Sequence, residues 1–373
     1  LFHADAMSFD SLAWNLAENG RYGIDGPTAV RPPAYPFFLA GVYRLAGHDY
    51  GAARAAQALL GVLLVWMLMR IAGRLSEKPV VPVFAGAAAA FYPFFIYYDN
   101  QLLSDSFLTF SMTLSLLAFI RWKERPLSWG RAILCGLAFA LTALVKTPML
   151  PWALWILLAE AVLSREADAR GPRLRRVLAV GLALSLPLAL WAARNRRSVG
   201  SFSLDNHGGF TLVSTIIYHQ QTKAGVFGDS VRNDPFFLEA AELPETERER
   251  YYYGAARRFI SEHPGRYIRE CAVRFKDLWR FYPRTDVGFR EGTSRLVVVS
   301  LLTEPFLVLC GLFSLFFLLP ARRLMYPAPL AVLWLTLLHT LITGQMRYRL
   351  PLMPFLILGA AYLVPLVMKR SRD

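Results

Sequence analysis

The chain has 373 residues, of which 55% are hydrophobic and only 18% charged, with a mean hydropathy of +0.35 and a formal charge of +14. A soluble domain carries roughly 25% charge, and a disordered chain is far less apolar. Apolar runs near bilayer length therefore point to a polytopic membrane protein, and no nucleic-acid partner is expected. Cys135, Cys271 and Cys310 lie far apart. They fit neither a metal-ligand spacing nor a disulfide framework.

The expected fold is an all-α bundle. Apolar runs predict helices at Gly51–Leu75, Val80–Tyr98, Asp105–Ile120, Ala132–Val145, Met149–Leu163, Val177–Ala193, Leu296–Leu319, Leu324–Ile342 and Leu350–Met368. Several fall short of the ~20 residues that cross a bilayer. The pair around Lys146-Thr147-Pro148 also reads as one kinked element. Four units follow: an outer loop with juxtamembrane helices (1–50), an N-terminal bundle of about six spans (51–193), a large outer loop (194–294) and a C-terminal bundle of about three (295–373).

Charge assigns the two faces. One set of connections holds seventeen basic residues, including Arg74, Arg121, Arg131, Arg165, Arg322, Arg323 and Arg372. The short loops of the other set hold only Lys146, Arg347 and Arg349. Cationic short loops stay cytoplasmic, so residues 1–50 and 194–294 are expected outside, in a multi-pass inner-membrane protein. The same alternation puts residue 1 outside. With no initiator Met or cleavage site ahead of it, the chain reads as a fragment with an earlier span before it. Five acids accompany the seventeen, so most of the +14 is an orientation signal.

Candidate chemistry lies on the outer side. Phe9, Leu12, Ala13 and Leu16 predict an amphipathic helix at the membrane, with Asp5 just before it and Asp10 within it. The plain alternative makes Asp5 a helix cap and Asp10 a solvated face. Arg31 precedes Pro32-Pro33, a rigid corner where a guanidinium suits a phosphate or carboxylate, or anchors a lipid headgroup. Asp105 heads an apolar helix, where it is either a cap or a functional carboxylate. Arg347 and Arg349 break the charge rule and call for an anionic partner. Glu239–Arg258 predicts a helix whose Glu245, Glu247 and Glu249 form a solvated face, and His263–Phe281 a second, amphipathic one.

Read together, Asp5, Asp10-x-Leu-Ala-x-Asn-Leu, Gly20-x-Tyr22 and Arg31-Pro-Pro-x-Tyr35-Pro resemble the bacterial GT-C glycosyltransferases of the dolichyl-phosphate-mannose protein mannosyltransferase and aminoarabinose transferase type. Leu102-Leu-Ser-Asp105-Ser-Phe, Lys146-x-Pro148, Arg194-Asn195, Asn206-x-Gly-Gly209, His263-Pro-x-x-Tyr267 and Arg347-Tyr-Arg-Leu-Pro351-x-x-Pro354 continue the resemblance almost end to end. It implies a GT-C-like transmembrane bundle and inverting transfer of a sugar from a polyprenyl-phosphate donor to an outer lipid, glycan or protein acceptor. By carry-over Asp5, Asp10 and Asp105 supply catalytic acids, Asp5 first among them as base. Arg31, Lys146, Arg347 and Arg349 hold the lipid phosphate. Tyr35, Asn206 and His207 fall on substrate-loop positions. A divalent cation on Asp5 and Asp105 is compatible with hard oxygen ligands; members differ on it. His207 and His339 are further ligand candidates, though a lone histidine is more often structural. Two rival classes stay open: a transporter or flippase of lipid-linked sugars, which ordinarily shows internal repeats that are not seen here, and a non-catalytic envelope-assembly protein, which has no need of the Asp5, Arg31 and Asp105 constellation.

Overall fold

The computed structural model describes residues 4–162, 170–218, 234–283, 293–319 and 324–370. Arg165, Arg322, Arg323 and Arg372 of the basic set lie outside these. Every described element is helical apart from one isolated bridge between Gly23 and Pro27. Gly23 has a φ of +154°, and a Cβ there would lie 1.7 Å from Gly26 O. That tight turn closes the Gly20–Thr28 loop only because residue 23 is glycine.

Two helices precede the first long apolar one, α1 (Ala4–Asn19) and α2 (Ala34–Ala46). The apolar face predicted from Phe9, Leu12 and Ala13 is buried against α2 and its neighbours. The first membrane helix, α3 (Tyr50–Leu75), starts where the Asp49 carboxylate accepts from Gly51 N at 2.6 Å. This side chain replaces one of the hydrogen bonds missing at a helix start. Next come α4 (Val80–Ala90) and α5 (Pro93–Asp99), bent by 48° at the Tyr92-Pro93 break. Proline lacks the amide that would carry the helix through.

The central helix is α6 (Ser104–Glu124), with fifteen buried residues. Its Thr109 and Thr113 hydroxyls donate to carbonyls one turn back. Ser115 pairs with Thr142 of α7 (Trp129–Val145) at 3.0 Å. These four hydroxyls are thus satisfied inside the bundle, as an apolar medium favours. After a single 3₁₀ turn at Thr147–Met149 come α8 (Leu150–Val162) and α9 (Arg170–Val199). Helix α9 lies along α7 so closely that a Cβ on Gly136 would meet Val180 O at 2.4 Å.

The C-terminal helices are α14 (Thr293–Phe313), α15 (Pro327–Leu341) and α16 (Met353–Arg370), with a 3₁₀ segment, Met346–Leu352, before the last. A Cβ at Gly311 or Gly359 would strike the facing backbone. Small residues let membrane helices approach this closely. Each of the nine predicted apolar runs is helical over most of its described residues; Leu163 lies outside them, and Leu324–Tyr326 precede the helix start at Pro327. Among the described residues, four helices are long and apolar enough to cross a membrane unaided, or five if the bent α4–α5 pair is one span. On α9, Leu178, Leu182, Leu186 and Leu190 recur every fourth residue and are all exposed, the pattern of a lipid-facing stripe.

The large loop carries α10 (Gly208–Tyr218), α11 (Pro235–Ala241), α12 (Glu245–Glu262) and α13 (Pro264–Trp279). Val213, Ile216, Phe237, Tyr252 and Ala256 form its own core. The single helix expected over Glu239–Arg258 is broken. Helix α11 stops at Ala241, and Pro244 caps the start of α12. The solvated acidic face is corrected for Glu245 and Glu249, whereas Glu247 is exposed as expected. Glu245 accepts from Thr28 Oγ1 (2.6 Å), Ala29 N (2.9 Å) and Asn206 Nδ2 (2.7 Å). Glu249 accepts from Gly209 N at 2.7 Å. Both glutamates tie the loop to the segments around the outer end of the bundle.

Candidate active site

The first turns of α1 and α6 each present a carboxylate, Asp5 and Asp105. A helix N-terminus carries partial positive charge, which suits an anion there. Three cations converge on the pair. Arg31 Nη2 lies 2.7 Å from Asp5 Oδ1, and Arg347 Nη1 lies 3.7 Å from Asp5 Oδ2. Arg347 Nη2 and Nε reach Asp105 Oδ2 at 2.6 and 2.9 Å. Lys146 Nζ donates to Asp105 Oδ1 at 3.2 Å. The result is an alternating row, Arg31–Asp5–Arg347–Asp105–Lys146, with one net positive charge.

Each cation has a local reason for its place. Tyr22 donates to Arg31 O at 2.9 Å and fixes the corner before Pro32-Pro33. Lys146 is the extended residue that ends α7, just ahead of Thr147-Pro148. Arg347 stands in the 3₁₀ segment before Pro351. The Tyr348 ring lies under both Lys146 (5.2 Å) and Arg347 (5.7 Å), within cation–π range. The two acids are not equivalent. Asp105 is fully buried, whereas the Asp5 side chain is 28% exposed. Asp5 is therefore the carboxylate an incoming molecule can touch.

Around the row stand residues of the large loop. Thr147 Oγ1 donates to Asp205 Oδ2 at 2.7 Å. Burial raises the Asp205 carboxyl above its ordinary value, opposed by the Thr147 hydrogen bond and by Arg31. His207 stacks on Phe210 at 5.2 Å. Burial and Arg31 push its imidazole down to about 3, with Asp5 pulling the other way, so it is neutral. Asp205 was not singled out in the sequence. The only signal was its place beside Asn206-His207-Gly208-Gly209.

Other expected site residues lie elsewhere. Asp10 accepts from Tyr43 (2.6 Å) and Tyr50 (3.1 Å) and pairs with His48 Nε2 (2.8 Å). Five positions along a helix turn through roughly 140° net, so Asp5 and Asp10 cannot share a face. Arg349 is buried on the far side of its 3₁₀ turn, paired with Glu304, and donates to Leu278 O and Arg280 O. Tyr92 also donates to Glu304, so that buried carboxylate is a structural hub. Tyr35 belongs to the core rather than a substrate loop: its hydroxyl donates to Gln57 and its ring packs on Phe9. Asn206 is a buried strut to Glu245. His339 stacks on Tyr348 at 4.5 Å and contacts Thr343 O, a supporting position.

The cation expected on Asp5 and Asp105 does not fit this arrangement. The Arg347 guanidinium already stands between the two carboxylates. Among the described residues no three His, Cys, Asp or Glu side chains gather as a metal-ligand group.

Taken together, the described residues form an all-helical bundle with an ionic row at one end of its central helices. Residues 30–191, which include Arg31, Asp105 and Lys146, match the sequence profile of the dolichyl-phosphate-mannose-protein mannosyltransferase family. No curated protein matches the chain. Two solved structures of ArnT from Cupriavidus metallidurans align with it. The one bound to undecaprenyl phosphate shares 15% identity at a TM-score of 0.45, covering 100% of this chain and 75% of that one. The apo form shares 16% at 0.45, covering 96% and 73%.

Proposed function

We propose that the protein is an integral-membrane glycosyltransferase that moves a sugar, with inversion, from a polyprenyl-phosphate donor to an acceptor hydroxyl on the extracytoplasmic face. The observation that carries this reading is the ionic row itself. Asp5 is the accessible carboxylate, set among cations suited to a phosphate.

In the reaction the acceptor oxygen attacks the anomeric carbon opposite the phosphate. Its proton passes to Asp5 as general base. The carbon–oxygen bond to phosphate breaks, and the electron pair stays on the leaving phosphate, which gains one negative charge. Arg31, Arg347 and Lys146 are the cations available to meet that charge, which develops in a site of low dielectric. Asp105 keeps Arg347 and Lys146 in position. Asp205 and the neutral His207 stand beside the row, and as its large-loop neighbours they are the residues assigned to acceptor choice.

Charge supports the outer-face reading. Arg74, Arg121 and Arg131 gather at the end of α6 remote from Asp105, where a cytoplasmic leaflet attracts them. Mass spectrometry of envelope lipids, glycans and proteins from cells with and without the gene tests the reading. A glycosylated product that disappears with the gene supports it. An unchanged glycan and lipid profile contradicts it.

A further inference from the structure

A second site lies at the other end of the central helices. Helix α6 spans about 30 Å from Asp105 to Glu124 at 1.5 Å per residue. At its far end a cavity of about 550 Å³ opens between α6 and α7, beside the last turn of α3. On α6 its wall is Leu114, Leu117 and Ala118, at the spacing of one helix face. On α7 it is Leu134, Leu137 and Leu141. Leu134 and Leu137 are 64% and 42% exposed, so the groove is open sideways to whatever surrounds the helices. In a membrane protein that is lipid.

The mouth of the groove is basic. Arg74, Arg121 and Arg131 stand there with one acid, Glu124. Arg74 Nε takes one Glu124 oxygen at 2.6 Å, and Arg131 Nη1 lies 3.7 Å from the other. Arg131 Nη1 also donates to Arg121 O at 2.7 Å. Among the described residues the Arg121 guanidinium is left without a side-chain partner. Three cations on one carboxylate leave an excess charge of two at the head of an apolar groove.

We infer that this groove binds one molecule of an anionic glycerophospholipid, its phosphate on Arg121 and one acyl chain along Leu134 and Leu137. The charge of the mouth is complementary to a phosphate, and basic pockets between membrane helices on the cytoplasmic side hold acidic headgroups. Length distinguishes this occupant from a polyprenyl chain. From Arg131 to Leu141 the wall extends about 15 Å, half of a ~30 Å hydrocarbon core. The groove therefore fits a chain that ends at the bilayer midplane. A bound lipid clamps the ends of α3, α6 and α7 together, and so supports the helices that carry Asp105 and Lys146 at their opposite ends.

The test is native mass spectrometry of the full chain released from detergent, with phosphatidylglycerol or phosphatidylcholine added. Phosphatidylglycerol is expected to be retained in preference. Arg121→Gln removes the phosphate contact and should weaken retention about ten-fold, the scale of one charge-assisted hydrogen bond. Leu137→Trp fills the groove and keeps every charge, on a lipid-facing residue where folding tolerates it. It should displace the lipid while leaving the melting temperature in lipid-free detergent unchanged, and should abolish the rise that added phosphatidylglycerol gives the wild type. Equal retention of the two lipids overturns the inference, as does unchanged retention in both variants. Inorganic phosphate binding that is indifferent to Leu137→Trp would also overturn it, because the site would then recognise no lipid chain.

Discussion

Arg347 stands between two carboxylates, with Nη2 2.6 Å from Asp105 and Nη1 3.7 Å from Asp5. One guanidinium thereby fixes the distance between the first turns of α1 and α6, elements a hundred residues apart in sequence. Lysine carries the same charge but only one nitrogen, so it cannot span the pair. Replacing Arg347 with Met strands a buried carboxylate with Lys146 alone. The expected loss is about 3–5 kcal/mol, the range for breaking a buried pair. The double variant Arg347→Met, Asp105→Asn should recover much of that stability without recovering sugar transfer. Melting temperature and transfer measured on the same preparations check both halves. Parallel recovery of transfer would show that Arg347 acts only through folding.

Asp10 separates structure from chemistry on a single helix. Its carboxylate serves Tyr43, His48 and Tyr50, away from the ionic row. Asp10→Ala should cost about 2–4 kcal/mol through lost charge-assisted hydrogen bonds. Transfer per folded molecule should stay within a few-fold of wild type. A loss of transfer in folded, membrane-inserted protein would return Asp10 to the site.

Glu245 makes a different kind of contact, joining the large loop to Thr28, Ala29 and Asn206. Glu245→Ala leaves the Ala29 amide without its acceptor and releases α12 from the first outer loop. Hydrogen exchange should quicken across residues 28–30 and at Asn206 while α6 stays protected. Unchanged exchange at Ala29 would mean the contact contributes nothing to holding the loop.

His207 gives a signed pH dependence. Its folded value of about 3 lies well below the ordinary 6.5, because burial and Arg31 disfavour the imidazolium. Below about pH 6.5 the unfolded chain takes up a proton that the folded chain refuses until about pH 3. The stability tied to neutral His207 is thus complete above about pH 6.5 and is lost as pH falls toward 3. His207→Asn removes this dependence. The melting-temperature gap between wild type and variant should narrow between about pH 7 and pH 5. A gap that does not change with pH would contradict a depressed imidazole.

The membrane helices were legible because bilayer-length apolar runs leave few alternatives. Lys146 and Arg347 are legible because they are charged in short loops that are otherwise nearly free of basic residues, Arg31 from its place before Pro32-Pro33, Asp105 as a carboxylate heading an apolar helix, and Asp5 through the family resemblance. What the sequence does not carry is the identity of tertiary partners. Asp10 and Arg349 lie in the same segments as Asp5 and Arg347 yet meet other groups, Tyr43, His48 and Tyr50 in one case and Glu304 in the other. Glu245 and Glu249 read as solvated because their partners, Ala29 and Gly209, are remote backbone amides that carry no pattern. Asp205 and Glu304 gain their surroundings only from tertiary packing.

Sugar transfer by Asp5→Asn is the most direct test of the ionic row as an active site. Wild type, Asp5→Asn and Asp10→Asn are purified alike, reconstituted in vesicles and supplied with membrane extract containing polyprenyl-phosphate sugars. Removing a general base ordinarily costs about 10²–10⁴-fold in rate. Asp5→Asn should lose transfer by about that factor with its insertion intact, and Asp10→Asn should retain it. Transfer by Asp5→Asn at the wild-type rate would contradict the assignment of Asp5 as the base.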